Sequence, residues 1–589
     1  MIPTSTNLEP TSSKTDDVIS EDKISKDLFK EKDSYQQATN EQRSIVNDIY
    51  SAYMGKMENV KKLPYKSQES IPKLRTEIAY IVPFIFSGNP EIEIEGEGEE
   101  DKPIAGVLEK IANYRLQTIP QAYEKIEAWV KQSVTFGTSL LKVNWKFETE
   151  TQDDGQGNTY QTPVKDEPDL EVPNILDCFY NPIIPDVECQ GSIIFRAVLP
   201  IDQVKENPAY DFESKEMNED GTPKLNRERV SSSTLSSNQY DSNQQIQGDS
   251  ISLQKAGEGT IEVYERITRD RIQTVCEGKE KMVLRDKPWN YGFINAVKLV
   301  HEPNCIPNRF DGLGVGQNTL GLGKMYYQAF NQSLEGVKLC NNPMFLFKKG
   351  ANIDTRQLVS KPGGGISVDG DGPLNNNIMP LQFQDITNGA IELTNKIEDE
   401  HKRASGANDM MQGSASNKTL GQDQLASTYS SNRFELIQRR FKQALADVAN
   451  MIIMMELENL QSPDAQILRI FPAEMRPQIF QLLITEGKDV KFNIRVKGDT
   501  TIAKNKDIQI KQLIDWYNLF GAILPPENQM EAARKILELR GIDDVDKLVP
   551  DPQQFAQQQM MQQQQQQAID AGAMPPTNQM NMQPQQPQI

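Results

Sequence analysis

The sequence has few of the residues on which enzyme and metal chemistry usually depend. Among its 589 residues there are 2 histidines, His301 and His401, and 5 cysteines. The cysteines are scattered and form no Cys-x-x-Cys pair, which argues against a zinc site of the usual spacing and favours a reducing compartment. Two histidines leave little room for a histidine-based metal centre or a catalytic triad. We therefore predict no catalytic residue, metal or cofactor, and interpret both histidines as surface or packing residues.

Long apolar segments are also missing. The longest apolar run, IAYIVPFIF at 78–86, is too short for a transmembrane helix and contains Pro83. The first residues lack the basic start and apolar stretch of a signal peptide. We expect no membrane partner.

Positive charge is in deficit as well. The formal net charge is −20, and no dense basic patch stands out. An acidic chain does not favour wrapping by nucleic acid, because phosphate contacts depend on Lys and Arg. Such a chain could still touch DNA locally or let it pass without adhering.

A glycine-rich stretch, RFDGLGVGQNTLGLGK at 309–324, is the one place that suggests phosphate binding. A P-loop requires Gly-x-x-x-x-Gly-Lys followed by Ser or Thr. Asn318 stands where the first glycine is needed, and Met325 follows the lysine. The glycines also miss the dinucleotide spacing Gly-x-Gly-x-x-Gly. They are therefore interpreted as shaping a turn into a helix.

Periodicity predicts an α+β first half. Residues 1–40 are polar and are predicted to be a flexible arm with at most a short helix near 18–32. Helices are predicted from 41, over 71–86 and over 103–136, and strands over 91–95, 139–147 and, as a meander, 260–287. A segment rich in Ser, Asn and Gln, 212–258, is predicted to be a flexible insertion.

The second half alternates helices with short strands. Helices are predicted over 325–341, 385–404 and 420–461, with short strands in 343–384 and a polar loop at 405–418. Further helices are expected over 472–487 and 503–549, around a strand at 491–498. The longest helix carries an apolar stripe: Phe434, Ile437, Phe441, Leu445, Val448, Ile452 and Met455. The Gln-rich tail, 551–589, is predicted to be disordered.

The order of these features resembles the portal proteins of tailed bacteriophages, especially the podovirus-type ones. The stretches that carry the resemblance are PFIFSGNPEIEIEG (83–96), VTFGTSLLKVNW (134–145), VPNILDCFYNP (172–182), the glycine-rich core 309–350 and the helix 418–445. Each stretch is weak alone, and the five in this order are more specific. The resemblance extends over about 41–545.

The resemblance implies a portal fold with an α/β wing, a two-helix stem, a small β-containing clip, a helical crown and disordered termini. The implied regions are a wing at 41–310 that contains the insertion 212–258, a first stem helix at 311–342, a clip at 343–384, a second stem helix at 385–404, a channel loop and long wing helix at 405–461, a crown at 462–550, and flexible ends at 1–40 and 551–589.

The resemblance also implies a function. Portal proteins form a ring, usually of twelve subunits, at one vertex of the capsid, where double-stranded DNA enters and leaves the head. The implied partners are copies of the same chain, DNA, the terminase, the major capsid protein and head–tail adaptor or tail proteins. The implied locations are the virion and, during assembly, the host cytoplasm.

Candidate DNA contacts lie in two places. In the family, a loop at the position of 405–418 often lines the channel constriction, and a plain surface turn is nearly as well supported here. The channel candidates are Ser414, Ser416, Asn417 and Lys418 on this loop and Lys396, Lys402 and Arg403 on the second stem helix.

The glycines at the start of the first stem helix are the other candidates. Gly312, Gly314 and Gly316 are expected to shape the entry into this helix. Gly321 and Gly323 are expected to keep the first turns of this helix slim, so that backbones could pack closely where neighbouring subunits crowd around the channel.

Two other functions remain open from the residues alone. One is an enzyme of the packaging machinery, such as an ATPase or nuclease, which the missing P-loop disfavours. The other is a virion or head–tail adaptor protein that binds partners but forms no channel.

Overall fold

The computed structural model describes residues 21–55, 67–86, 90–153, 159–211, 260–277, 281–347, 387–407 and 420–496, with internal gaps of one to four residues, and parts of 352–381 and 510–539. The predicted insertion 212–258 and the Gln-rich tail lie outside the described residues. The chain divides into two compact units, 1–500 and 501–589.

The first unit contains both helices and strands, as the α+β prediction requires. Its helices are α1 (Glu21–Ala38), α2 (Asn40–Tyr53), α3 (Lys73–Ile85), α4 (Lys102–Thr118), α5 (Ala122–Phe136), α6 (Ile201–Glu206), α7 (Val315–Asn341), α8 (Thr387–Ser405), α9 (Leu420–Asn459) and α10 (Arg476–Thr485). In the second unit, helix α11 spans Pro526–Leu539.

The strands fall into small antiparallel sheets. They are β1 (Ile92–Gly96), β2 (Thr138–Asp153), β3 (Thr159–Glu171), β4 (Cys178–Phe179), β5 (Ile193–Pro200), β6 (Thr260–Ile267), β7 (Arg271–Glu277), β8 (Lys281–Pro288), β9 (Ala296–Val300), β10 (Phe345–Phe347), β11 (Asn352–Ile353), β12 (Val368–Asp369), β13 (Ile378–Pro380) and β14 (Phe492–Val496).

The main core lies between helices α3, α4, α5 and α9 and a three-stranded sheet of order β3-β2-β9. Trp129 of α5 is fully buried, and its ring centroid lies 6.3 Å from that of Phe441 on α9. The predicted stripe on α9 is confirmed, because its members pack into this core: Phe434, Phe441, Leu445, Val448, Ile452 and Met455, with Ile437 partly buried against them.

The helix predicted over 103–136 is in fact two helices. Helix α4 ends at Thr118 and α5 begins at Ala122. Pro120 has no N–H to donate and disfavours a helical conformation at Ile119. Gln121, with φ of 56°, then turns the chain through the left-handed region. The prediction of one continuous helix is wrong because Pro120 separates the two apolar patterns.

Strand β1 confirms the predicted alternation of its sequence. Ile92 and Ile94 are buried, and Glu93 and Glu95 are exposed. The strand pairs antiparallel with β14, about 400 residues later in the chain. Its acidic face is therefore the solvent face of a two-stranded sheet.

The segment that follows α9 also contributes to the main core. Leu468 and Leu483 belong to the same buried cluster as α3, α4 and α5. The crown boundary at 462 stays a prediction. Periodicity indicates the strand near 491 but not the partner it pairs with.

The predicted meander is confirmed as part of a five-stranded sheet of order β4-β5-β6-β7-β8. Helix α1 covers one face of this sheet. Leu28 is fully buried there, and the ring of Phe29 lies 5.0 Å from that of Tyr264, centroid to centroid. The prediction that 1–40 is a flexible arm is therefore wrong for 21–40. Helix α1 has few apolar residues, but they are enough to dock the helix because they pack against this sheet face.

Replacing Leu28 by Ala should destabilise the first unit if α1 is an integral part of it. Leu-to-Ala changes in a packed core cost roughly 2–5 kcal/mol. Lys30→Ala is the matched control, because Lys30 is exposed on the same helix. Thermal unfolding of both variants checks this. An unchanged melting temperature for Leu28→Ala would contradict the docked position of α1.

A buried ion pair ties α4 to α9. Arg115 donates through Nε to Glu456, and its Nη1 lies 3.4 Å from Glu167 Oε2. Arg115 and Glu456 are 3% and 5% exposed. Burial raises the pKa of Glu456 from its ordinary value of 4.5 to about 7, against the opposing charge of Arg115.

This pKa predicts a loss of stability as the pH rises. The folded protein holds the Glu456 proton more tightly than the unfolded chain, so this contribution is complete below about pH 4.5 and is lost as the pH rises through about 7. Glu456→Gln keeps a neutral hydrogen-bonding group beside Arg115 at every pH. Between about pH 5 and about pH 8 the melting temperature of the wild type should fall more than that of the variant. Parallel curves would contradict the raised pKa.

Candidate channel and assembly region

Helices α7 and α8 form an antiparallel helical hairpin. They pack along each other, and the paired strands β10 and β13 join the end of α7 to the start of α8. The 27 residues of α7 give it a length of about 40 Å. Both helices agree with the predicted ones, and short strands lie between them as expected.

Only one end of the hairpin is buried against the rest of the chain. The buried residues of α7 all lie between Val315 and Asn331, and those of α8 lie between Ile397 and Ser405. Beyond Asn331 and before Ile397, the described side chains of both helices are exposed or half-exposed. The distal half of the hairpin therefore extends away from the core of its own chain.

Two polar bridges join α8 to α3 at the root. Lys73 Nζ lies 2.8 Å from Glu398 Oε2, and His401 Nδ1 lies 2.7 Å from Glu77 Oε1. Glu77 and His401 are 4% and 2% exposed, so this second pair is shielded from water. The bridges lie one turn apart on each helix. They fix the angle between α8 and α3, and therefore the angle at which α8 projects from the main core. His401 is thus a packing residue with a specific partner, which the sequence did not reveal.

An extended segment around Glu69 lies along α7. Asn331 accepts a hydrogen bond of 2.9 Å from the backbone N–H of Glu69 and donates one of 2.9 Å to its carbonyl. One turn further, Glu335 accepts from the N–H of Ser67 at 3.1 Å. Because these bonds reach backbone atoms, they hold the segment with little dependence on its side chains.

Apolar side chains are exposed over the distal half of the hairpin. Leu346 and Met379 face each other across the β10–β13 pair and are 55% and 60% exposed. The exposed apolar residues of the distal hairpin are Leu339, Met344, Leu346, Met379, Ile391 and Leu393. A concentration of exposed apolar side chains on a two-stranded tip is typical of a contact surface rather than of a free surface.

A row of alternating charge follows α8 on the side opposite its buried residues. Glu392, Lys396, Asp399 and Arg403 are spaced by four, three and four residues, so they share one face of the helix, and all four are exposed. The row carries two charges of each sign and is neutral overall.

The sequence-predicted channel candidates divide into two groups. Lys396, Lys402 and Arg403 lie on α8; Lys402 Nζ is 3.8 Å from Glu398 Oε1, and Arg403 Nη1 is 2.9 Å from Glu400 Oε1. The structure thus pairs two of the three cations with carboxylates of the same helix. The loop candidates Ser414, Ser416, Asn417 and Lys418 lie outside the described residues.

The predicted entry glycines pack against the backbone at the end of α5. A Cβ placed on Gly314 would lie 2.5 Å from the amide nitrogen of Gly137, and one on Gly312 or Gly316 would meet backbone carbonyls at 2.6 Å. Gly137 has φ of 95°, and its carbonyl accepts a 2.9 Å bond from the N–H of His301. These glycines therefore permit a close approach between backbones.

The close approach lies within one chain. Gly314 is the residue before the first turn of α7, as expected for a helix entry, but the atoms beside it belong to Thr135, Phe136 and Gly137 of the same chain. These contacts explain the glycines within one chain, and close packing between neighbouring subunits stays a prediction. The sequence does not indicate the positive φ of Gly137 or the glycines that it contacts.

Gly314→Ala should destabilise the fold of a single chain. Its Cβ would overlap backbone atoms, and overpacking of this kind costs about 1–3 kcal/mol. Gly321→Ala is the control, because a Cβ there meets nothing within 4 Å, and alanine favours a helix by about 1 kcal/mol over glycine. The two variants should shift the melting temperature of the monomer in opposite directions, and a stable Gly314→Ala monomer would contradict the contact.

Two further searches of the described residues found no site. Within them, no group of three or more His, Cys, Asp or Glu side chains is placed to hold a metal ion. None of the helices that the structure describes is long and apolar enough to span a bilayer.

Comparison with known proteins agrees with the resemblance noted in the sequence. No curated protein is similar enough to the chain to count as a match. A family model described as phage SU10 portal protein matches residues 265–583, which is more than half of the 589 residues. The match includes β7 to β9, the whole helical hairpin and the long helix α9. The chain therefore belongs to the phage SU10 portal protein family.

Proposed function

We propose that copies of the chain assemble into a closed ring, with twelve subunits as the expected number, around a channel for double-stranded DNA. In this proposal α7 and α8 are the stem, the strands between them are the clip, and the α/β body is the wing. The observation that carries the proposal is the helical hairpin, whose distal half exposes apolar side chains and contains no buried side chain among its described residues.

The positions of the exposed apolar residues on α8 suit a ring. A helix turns about 100° per residue, so Ile391 and Leu393 lie to either side of the charged row that begins at Glu392. They are 51% and 52% exposed. In a ring each stem touches one neighbour on each side, and a helix with an apolar residue on both flanks meets that requirement.

The charged row then faces the channel. A strip of alternating sign offers DNA no net positive surface, and pairing of Lys402 and Arg403 with carboxylates weakens each potential phosphate contact. Because each phosphate contact adds salt-dependent affinity, such a surface lets DNA slide rather than bind. The formal net charge of −20 favours the same outcome.

The proposed setting is the portal vertex of the virion, reached after assembly in the host cytoplasm. The partners are the major capsid protein around the wing, the terminase during packaging, and head–tail adaptor or tail proteins afterwards. The chain itself acts as a structural component without catalytic activity. The family match supports this setting in general terms, and the individual partners follow from the resemblance.

Electron microscopy of the purified chain tests the ring directly. Negative-stain images of the wild type should show rings with a central hole. Leu346→Asp with Met379→Asp should yield mainly monomers, because both side chains are exposed in the monomer and would be buried between subunits. Leu346→Met with Met379→Leu, which keeps the surface apolar, is the matched control and should still form rings.

The outcomes separate the proposal from its rival. A wild-type chain that stays monomeric at all concentrations would favour an adaptor without a channel. Rings that persist in the double Asp variant would contradict the role of the hairpin tip in assembly.

A further inference from the structure

Few apolar contacts hold α8 in place along its own axis. The helix packs along α7, but among its described side chains Ile397 is the one apolar side chain that is buried. The other buried side chains of the helix, His401 and Ser405, are polar. Because apolar attraction has no preferred direction, a single apolar contact does not distinguish one alignment of α8 from an alignment one turn away.

The buried bridge between α8 and α3 is imperfect as a stabilising contact. Glu77 Oε1 lies 2.7 Å from His401 Nδ1, but Glu77 Oε2 is buried without a hydrogen-bond partner among the described residues. Burial of a carboxyl group costs free energy, and an oxygen without a partner adds to that cost. Apolar side chains of similar volume often replace a buried ion pair without loss of stability. Stability alone therefore does not account for a polar bridge at this place.

The spacing of the two bridges distinguishes one register of α8 on α3 from its neighbours. The partners rise together along both helices, from Lys73–Glu398 to Glu77–His401, so the two helices run parallel. A shift of α8 by about four residues, one helical turn, would bring Lys402 beside Lys73. A shift by about three residues in the other direction would bring Glu398 beside Glu77. Each shift places two like charges together, and such repulsion is a means of excluding a wrong arrangement.

We propose that Lys73, Glu77, Glu398 and His401 are positioning residues, which hold α8 in one register on α3 and contribute little to stability. The register is a property of the single chain. In the proposed ring every subunit must present its stem in the same position. One register in every copy is then a condition for closing the ring, and this part of the inference rests on the proposed function.

A distance measurement on monomers of the full chain tests the register. Spin labels are attached through Ala79→Cys on α3 and Glu392→Cys on α8, and both positions are exposed. The accessible cysteines Cys189, Cys305 and Cys340 are first replaced by serine. Pulsed electron paramagnetic resonance should give one narrow distance while both bridges are intact. A shift of α8 by one turn would change this distance by up to about 5 Å.

Replacing the buried bridge by apolar side chains should release the register. Glu77→Met with His401→Leu should populate a second distance beside the first. The melting temperature of this variant should be no lower than that of the labelled chain with intact bridges, because a buried ion pair is replaced as a whole rather than broken.

A second variant changes the register signal without altering the buried bridge. Glu398→Lys with Lys402→Glu exchanges two charges that are 30% and 24% exposed. Lys73 then meets a cation in the native register and a carboxylate after the shift by about four residues. This variant should also populate the second distance. Its matched control is Glu400→Lys with Arg403→Glu, which exchanges an exposed ion pair elsewhere on α8 and should keep one distance.

The distances decide the proposal. A single distance in both bridge variants, equal to that of the labelled chain with intact bridges, would overturn the role in register. A lowered melting temperature of the apolar variant would overturn the claim that the buried bridge contributes little to stability.

Negative-stain images of the same variants test the link to the ring. The fraction of closed rings should fall in both bridge variants and stay unchanged in the control. Closed rings at the wild-type level from chains with two distances would overturn this link. If the wild type forms no rings, the proposed function fails, and the distances in monomers still decide the register.

Discussion

The structure depends on a contact between backbones, where Gly137 at the end of α5 meets the glycines that lead into α7. A side chain at Gly314 would overlap the amide of Gly137. This contact sets where α7 begins and therefore where the whole helical hairpin leaves the body. The sheet strands β2 and β9 are tied to the same point, because the N–H of His301 binds the carbonyl of Gly137. This single close contact between backbones thus connects the core to the helical hairpin.

Features with a local cause were predictable from the sequence. The stripe on α9, the alternation in β1 and the two helices of the hairpin follow from periods of about 3.6 and 2 residues, which burial imposes on any helix or strand. The sequence of the glycine run also argues against a P-loop, because Asn318 and Met325 stand where that motif requires Gly and Ser or Thr. Family membership followed from the order of such local signals.

Features with a distant cause were not predictable. The sequence of α1 resembles a polar arm, and only the structure shows that the helix packs on the sheet face around Tyr264. The sequence of β14 does not indicate that β1 is its partner. The pair His401–Glu77 joins residues 324 positions apart. A single sequence shows that a glycine allows close approach but not which backbone approaches it. The sequence shows that α8 carries cations that could contact DNA. It does not show that two of them pair with carboxylates of the same helix.

The two bridges between α3 and α8 also have a mechanical meaning. Lys73–Glu398 and Glu77–His401 lie side by side, one helical turn apart. Two fixed points resist rotation in a way that one cannot, so a sideways load on the distal hairpin acts as a torque on α3. Such a load would therefore be carried into α3, whose Leu74, Ile78 and Ile81 belong to the main core.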